Sequence, residues 1–229
     1  MAKKELVIKT KRLILQPMTD DEIKDIMKKT ADEELKSAYK EMLDGCEKDA
    51  ENRIWYAPWK ICLKKEGTYI GDLGFKGPEK KNAVEIGYGI LKEYEGNGYT
   101  TEAVKALTEW AFGTNSEIYF IEAETASDNT ASKKILEKLG FVDDGEGENG
   151  LRYVQERAEV SWMSIYMCFG LSIGMSLGMG MNKMSLGMCL GMGIGLCIGA
   201  AMDASFRKNR EEIRRKRAEE KKDFKGEEE

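Results

Sequence analysis

The stretch Asp128-Asn129-Thr130-Ala131-Ser132-Lys133-Lys134-Ile135-Leu136-Glu137-Lys138-Leu139-Gly140-Phe141 decides the fold. Asp128-Asn129 supplies an N-terminal cap, and the helix from Asn129 to Leu139 stops at Gly140, a residue suited to the C′ position. Upstream, Ile118 to Thr125 reads as a strand. Further upstream a glycine turn, Glu95-Gly96-Asn97-Gly98-Tyr99-Thr100-Thr101, leads into a helix through Ala103, Val104, Leu107, Trp110 and Ala111. Before that turn, Val84 to Leu91 alternates, with Val84, Ile86, Tyr88 and Ile90 on one face and Glu85, Gly87 and Gly89 on the other. Two glycines weaken a strand, but they clear one face of it for the close approach of a ligand or another backbone. Trp59 to Leu63 and Tyr69 to Phe75 read as antiparallel strands joined at Lys64-Lys65-Glu66-Gly67. The chain opens with apolar alternation at Leu6, Ile8, Leu13 and Leu15. Thr19 and Glu22 have capping-box spacing for a short helix to Lys29, and a second helix is predicted from Asp32 to Met42.

At 229 residues the chain suits one domain of ordinary size with an appendage. Its 36 basic and 41 acidic residues give a net charge of -5, which offers no electrostatic reason to expect a nucleic-acid binder. Histidine is absent, which excludes any mechanism that needs imidazole as base, metal ligand or triad member. The five cysteines, without a CxxC pair, argue against a zinc site and against a disulfide scaffold. Met1 to Arg12 is basic without an apolar run behind it, so no signal peptide is expected, and the first region is expected in a reducing cytosol.

The glycine turn has two readings: a tight connection, or an anion cradle in which orphan amides and the positive end of a helix dipole converge. Asn129-Thr130-Ala131-Ser132 followed by Leu136-Glu137-Lys138-Leu139-Gly140-Phe141 resembles the NxxS…LEKLGF signature of the GNAT acyl-CoA-dependent N-acetyltransferases. Thr10-Lys11-Arg12-Leu13-Ile14-Leu15 and Glu85-Ile86-Gly87-Tyr88 resemble the ribosomal-protein N-acetyltransferase branch, and the similarity extends over residues 6 to 155. The resemblance implies an α+β fold, a mixed sheet splayed at its middle and flanked by helices, with acetyl-CoA as cosubstrate in the gap and no metal. It implies acetyl transfer to a primary amine, a protein N-terminus or a small amine, by direct attack in a ternary complex.

The family's pyrophosphate loop, Q/R-x-x-G-x-G/A, falls here on Glu95, Gly98 and Thr100, and only Gly98 matches. Reduced cofactor affinity is therefore an expectation, and a degenerate GNAT domain that binds acetyl-CoA, or acts as an oligomeric interaction module without turnover, is the alternative reading. The amides of Gly96, Asn97, Gly98, Tyr99, Thr100 and Thr101 would still face the diphosphate. Glu85 is the candidate base, or else an ion-paired glutamate, and Glu122 and Glu124 are weaker candidates. A backbone N–H around Ile90 and Leu91 would hold the oxyanion. By the resemblance Ser132 would reprotonate the coenzyme sulfur and Asn129 would bond the pantetheine chain; their plain readings are a helix serine and a helix cap. Trp55, Tyr56 and Trp59 read as an aromatic wall for an amine or, preferably, as core.

The chain changes character near residue 158, the expected end of the acetyltransferase domain. From Val160 to Met202 only Lys183 is charged, and the stretch contains 9 of the 24 glycines and 9 of the 13 methionines. Val160 to Asn182 and Met184 to Met202 are each long enough to cross a hydrocarbon core as a helix. Gly170, Gly174 and Gly178 recur every fourth residue, as do Gly187, Gly191, Gly195 and Gly199, the spacing of a glycine zipper. Residues 160–202 are therefore expected to form a hydrophobic helical hairpin with Asn182-Lys183 at its turn, anchoring a cytoplasmic domain to a membrane. A soluble hairpin and a homo-oligomer are the other readings. Residues 203–229 form a charged tail whose basic residues favour a cytoplasmic end.

Overall fold

A computed structural model describes residues 6–226. The chain divides between Arg157 and Ala158 into two compact units. The first contains β1 (Ile8–Lys9), β2 (Leu13–Pro17), α1 (Asp20–Lys29), α2 (Glu33–Lys48), α3 (Arg53–Tyr56), β3 (Trp59–Leu63), β4 (Tyr69–Phe75) and β5 (Ala83–Ile90). A single 3-10 turn at Lys92–Tyr94 follows, then α4 (Tyr99–Thr114), β6 (Phe120–Thr125), α5 (Thr130–Lys138), β7 (Val142–Gly147) and β8 (Gly150–Glu156). The strands form one sheet in the order β1-β2-β3-β4-β5-β6-β8-β7. Every neighbouring pair is antiparallel except β5 and β6.

The parallel pair positions the site. Its register holds only from Ala83↔Phe120 to Glu85↔Glu122, although β5 runs on to Ile90 and β6 to Thr125. Beyond Glu85 the two strands part, which leaves the sheet splayed at its middle. On one face, the inward side chains of β2 to β5, among them Leu15, Trp59, Ile61, Phe75 and Ile86, pack with Ala103, Val104 and Leu107 of α4. Full burial of side chains of this size is worth about 1.5–3 kcal/mol each, which fixes α4 against the sheet. On the other face Met18, Ile23, Tyr39 and Leu43 form a second cluster beneath α1 and α2.

The local sequence explains most boundaries. Thr19 and Glu22 close a full capping box at α1, and Asp32 caps α2 through the amides of Glu34 and Leu35. The second helix runs six residues past its expected end at Met42, to Lys48. Gly45 lies inside it, where a side chain would collide with the Tyr56 ring, so this glycine serves packing and does not end the helix. β7 had no strand signal in the sequence, because Val142-Asp143-Asp144-Gly145-Glu146-Gly147 shows no apolar alternation. It is an edge strand held by its pairing with β8.

The second unit contains α6 (Trp162–Gly180) and α7 (Met184–Gly226), joined through Asn182 in the left-handed region at φ 56°. α7 shows no break at Met202; the apolar and charged segments form one continuous helix. The two helices meet along glycine. A Cβ at Gly170 would fall on the backbone of Gly191, one at Gly174 on that of Gly187, and one at Gly195 on that of Tyr166. Asp203 of α7 caps the first turn of α6, accepting from the amides of Trp162 (2.8 Å) and Met163 (3.1 Å). Trp162 stacks on Phe206 with ring centroids 5.5 Å apart, and Arg210 pairs with Glu159 at 2.7 Å. Beside the glycine seam, Ile173, Leu177, Leu190 and Ile194 line an open apolar groove, and Phe169 is exposed as well.

Candidate active site

The glycine turn places a row of backbone donors beside the parted strands. Gly96 and Gly98 both have φ +74°, a conformation that costs an L-residue about 1–2 kcal/mol and glycine almost nothing. Gly98 is the N-cap of α4 and has no side chain to accept from the helix amides. The first intrahelical bond runs from the Glu102 N–H to the Gly98 carbonyl at 3.2 Å, so the amides of Tyr99, Thr100 and Thr101 precede the ladder. Asn97 folds its side chain back, donating to the carbonyls of Tyr94 (3.2 Å) and Glu95 (3.0 Å), which fixes the loop. Arg12 adds a cation: it donates to the Asn97 carbonyl at 2.9 Å, lies 4.5 Å from the Tyr99 ring centroid and is held by Glu102 at 2.6 Å. The sequence reading missed Arg12 in this setting, because 85 residues separate it from Asn97.

Both departures from the family loop have a structural outcome. Thr100 is buried, so its bulk is taken up by the protein interior, and the Glu95 carboxylate is exposed.

Backbone alternation along β5 sorts the predicted oxyanion donors. The Lys76 N–H donates to the Glu85 carbonyl, and the Leu91 N–H donates to the Ile70 carbonyl, both at 2.9 Å. These two bonds fix the parity of the β4–β5 ladder, in which Gly87 and Gly89 also point their amides at β4. Tyr88 and Ile90 therefore direct their N–H groups to the side from which β6 has departed. The Ile90 amide thus faces the gap. Leu91 does not, because its amide is engaged by Ile70. The Tyr88 amide joins Ile90 as a donor that sequence reasoning missed.

The candidate proton-handling groups lie on opposite faces of β5. Ser132, in the first turn of α5, shares a hydrogen bond of 2.8 Å with the Tyr88 hydroxyl. Burial pushes the Tyr88 phenol up, and the bond to Ser132 pulls it back in part. Asn129 accepts from the Ser132 N–H at 3.0 Å and so caps the helix. On the opposite face, Glu85 is paired with Lys76. Burial pushes the Glu85 carboxyl above its ordinary range, Lys76 lowers it, and Glu124 and Glu122 raise it. Glu124 is spent on structure: it binds Arg152 at 3.1 Å and accepts from the amides of Glu148 and Asn149, bonds that outweigh burial and hold its carboxyl low. Trp55 and Trp59 are core residues, packed against Trp110 in tilted pairs at centroid distances of 5.1 and 5.0 Å, and Tyr56 packs over Gly45 and Gly77. They form no wall of the gap. Among the described residues no group of three or more histidine, cysteine, aspartate or glutamate side chains is arranged to hold a metal ion.

Residues 12–142, more than half of the chain, match the acetyltransferase (GNAT) domain. The chain belongs to the GNAT acetyltransferase family. The uncharacterized N-acetyltransferase YjdG of Bacillus subtilis (strain 168) is 36% identical to this GNAT protein over 85 residues, which cover 37% of this chain and 50% of that relative. This chain thus spans about half the length of that curated relative. Among solved structures, the ribosomal-protein-S5-alanine acetyltransferase of Vibrio fischeri superposes with a TM-score of 0.53 at 17% identity, over 68% of this chain and 98% of its own. A ribosomal L7/L12 alpha-N-protein acetyltransferase in complex with coenzyme A superposes with a TM-score of 0.52 at 15% identity, over 66% of this chain and 98% of its own. At these identities the likeness to the two structures is one of fold. The GNAT fold and its splayed mixed sheet are thus shared with proteins of this family.

Proposed function

We propose that this GNAT domain transfers the acetyl group of acetyl-CoA to the nitrogen of a primary amine, by direct attack within a ternary complex. The observation behind this reading is the uncapped N-terminus of α4, set behind two left-handed glycines and next to the parted strands. Amides from Gly96 to Thr101, with Arg12 beside them, suit a diphosphate: aligned donors and a helix dipole attract anions without needing the family's usual loop side chains. Thr100 leaves the cradle open because its side chain is buried. The pantetheine arm would run along the gap toward the Ile90 and Tyr88 amides, within reach of Asn129. The thioester oxygen, as it gains charge, would be met by those backbone donors. Ser132, bonded to Tyr88, would return a proton to the departing thiolate. A protein N-terminus is the favoured acceptor class, since structural neighbours act on ribosomal proteins; a small amine is the other.

Calorimetry with acetyl-CoA followed by thiol release in the presence of amines tests the reading. Saturable binding and amine-dependent thiol release are expected, and a chain with no affinity for coenzyme A or its acyl form would overturn it.

We further infer that the α6–α7 hairpin is a glycine zipper that anchors this domain to a lipid bilayer. Both helices are long and apolar enough to cross a membrane, by length and composition. At 1.5 Å per residue, the 19 residues of α6 span about 28 Å, close to a hydrocarbon core. The exposed Phe169, Ile173, Leu177, Leu190 and Ile194 suit acyl chains, and the Trp162–Phe206 stack, with Tyr166 and Arg210 near it, suits the headgroup boundary. Asp203 satisfies amides of α6 that lipid could not. Retention in the membrane fraction after carbonate extraction is expected; full recovery in the soluble fraction would refute the anchor.

A further inference from the structure

On β4, directly opposite Gly89, lies a carboxylate to which neither the sequence reading nor the family match gives a role. Asp72 Oδ2 accepts from the hydroxyls of Tyr39 on α2 and Tyr69 on its own strand, each at 2.6 Å. Its Oδ1 takes no hydrogen bond among the described residues, yet it is not sealed from solvent. Lys60, its cross-strand neighbour on β3, is turned to Glu22 of α1 at 2.5 Å. Asp72 is thus a largely withdrawn carboxylate held by two phenols and paired with no cation among the described residues, an arrangement that is costly unless a ligand completes it.

The floor beside Asp72 is empty. Cross-strand register puts Asp72, Gly89 and Gly87 on one face, and a Cβ on either glycine would meet nothing within 4 Å. Gly89 adjoins Ile90, whose amide faces the gap. Glu85 is five residues away, roughly 17 Å along the strand at about 3.4 Å per residue, too far to share a reacting nitrogen with the Ile90 amide. A directly opposed cross-strand residue lies only about 5 Å away.

We propose that Asp72, not Glu85, is the catalytic residue that receives the acceptor amine and takes its proton. This rests on the acetyl-transfer reading above and names the group that handles the amine. The acceptor enters over Gly87 and Gly89 as R–NH3+ and loses one proton to Asp72 Oδ1, which passes it to solvent. The nitrogen lone pair then forms the C–N bond, and the carbonyl π pair moves to oxygen at the gap-facing amides. As the oxygen pair returns, the C–S bond breaks with its pair on sulfur, and nitrogen loses its second proton. Of the two protons that leave nitrogen, one is balanced by protonation of the thiolate and one is released. Burial pushes the Asp72 carboxyl above its ordinary range, with Tyr39 and Tyr69 pulling it back, as suits a base working toward neutral pH.

The test uses the full chain with acetyl-CoA and two probes, benzylamine and the tetra-alanine amide, which separate small-amine from peptide acceptors. Asp72→Asn preserves an oxygen for both phenols. It is expected to lower kcat/KM for whichever probe is used by about 100-fold or more at pH 7, to recover as pH approaches the amine's own pKa, and to leave acetyl-CoA affinity within twofold. Tyr39→Phe removes one donor to the carboxylate, so the acid limb of the kcat/KM profile is expected to move to higher pH. Unchanged turnover in Asp72→Asn, or an unmoved limb in Tyr39→Phe, overturns the proposal. A reading independent of turnover is the carboxyl carbon resonance of Asp72 in the coenzyme A complex: benzylamine is expected to shift its titration to lower pH. A chain that showed this shift without transferring acetyl would retain the amine site and defeat the transfer reading; no shift would defeat the site.

Discussion

Glycine does opposite work in the two units of this chain. In the GNAT domain, Gly87, Gly89 and Gly96 have nothing within 4 Å of where a Cβ would stand. In the hairpin, Gly170, Gly174, Gly187 and Gly191 have the facing helix's backbone in that same place. The missing methyl empties a surface in one setting and lets two surfaces meet in the other. The spacing in the sequence signals which: alternate positions on a strand clear one face, and every fourth position on a helix makes a ridge. The largest expected effect breaks the ridge. Gly191→Ile would drive a branched side chain into the Gly170 carbonyl, and overpacking of this kind costs about 3 kcal/mol or more when the obstacle is backbone. Thermal unfolding of the detergent-solubilised chain by circular dichroism should lose its α6–α7 transition. Gly193→Ile, two residues along the same helix but with open space around it, should leave that transition unchanged or raise it.

The corresponding substitution in the domain should leave the fold intact and remove function. Gly89→Val adds a β-branched residue to a strand that has room for it, so unfolding should be unaffected or slightly delayed. Acceptor turnover should fall about 100-fold, by a loss of the acceptor's approach such as a misplaced reacting group produces, with acetyl-CoA binding retained. A loss of folding in Gly89→Val would show that this face is packed and not a floor. A smaller effect is expected at Gly98, where φ is +74° and the constraint is backbone conformation. Gly98→Ala should weaken acetyl-CoA binding about tenfold, since a strain of about 1.4 kcal/mol converts to that factor. Calorimetry measures it directly, and an unchanged affinity would mean that the loop relaxes without losing its donors.

How far the sequence went follows from the range of the interactions involved. Capping signals act over three residues, so Thr19 with Glu22 and Asp32 placed their helix starts without help from the rest of the chain. The two-faced pattern of Val84 to Leu91 showed which side of β5 was cleared, because period two is a property of the strand alone. What lies across that strand was not legible. Tyr39 reaches Asp72 over 33 positions and Arg12 reaches Asn97 over 85, and no local pattern encodes either meeting. The Leu91 amide was misjudged for the same reason: whether an N–H faces a gap or a neighbour depends on ladder parity, which only pairing with β4 sets. In the hairpin the glycine spacing was plain, but the register that sets Gly170 against Gly191 required both helices.

The smallest expected effects sharpen the contrast between a carboxylate that stabilises the domain and one kept for the reaction. Burial raises the Glu102 carboxyl, but hydrogen bonds from Thr10 Oγ1 (2.6 Å) and from the Arg12 backbone N–H (2.8 Å) and Nε (2.6 Å) outweigh it and hold the group below its ordinary value. Its contribution is therefore present above the unfolded glutamate pKa, about 4.3, and is lost as pH falls through the lower folded value. Asp72 has the opposite sign. Burial raises it, so its contribution is present below the unfolded aspartate pKa, about 3.9, and is lost as pH rises through the raised folded value; at neutral pH its ionised form weakens the fold. Glu102→Gln should accordingly lower Tm at pH 7, with the deficit closing in acid. Asp72→Asn should raise Tm at pH 7, with the gain vanishing near pH 4. Each change should be about 2–4 °C, the shift that about 1 kcal/mol produces in a domain of this size. Scanning calorimetry at the two pH values decides both, and a destabilised Asp72→Asn at pH 7 would mean that the two tyrosines hold this carboxylate for the fold alone.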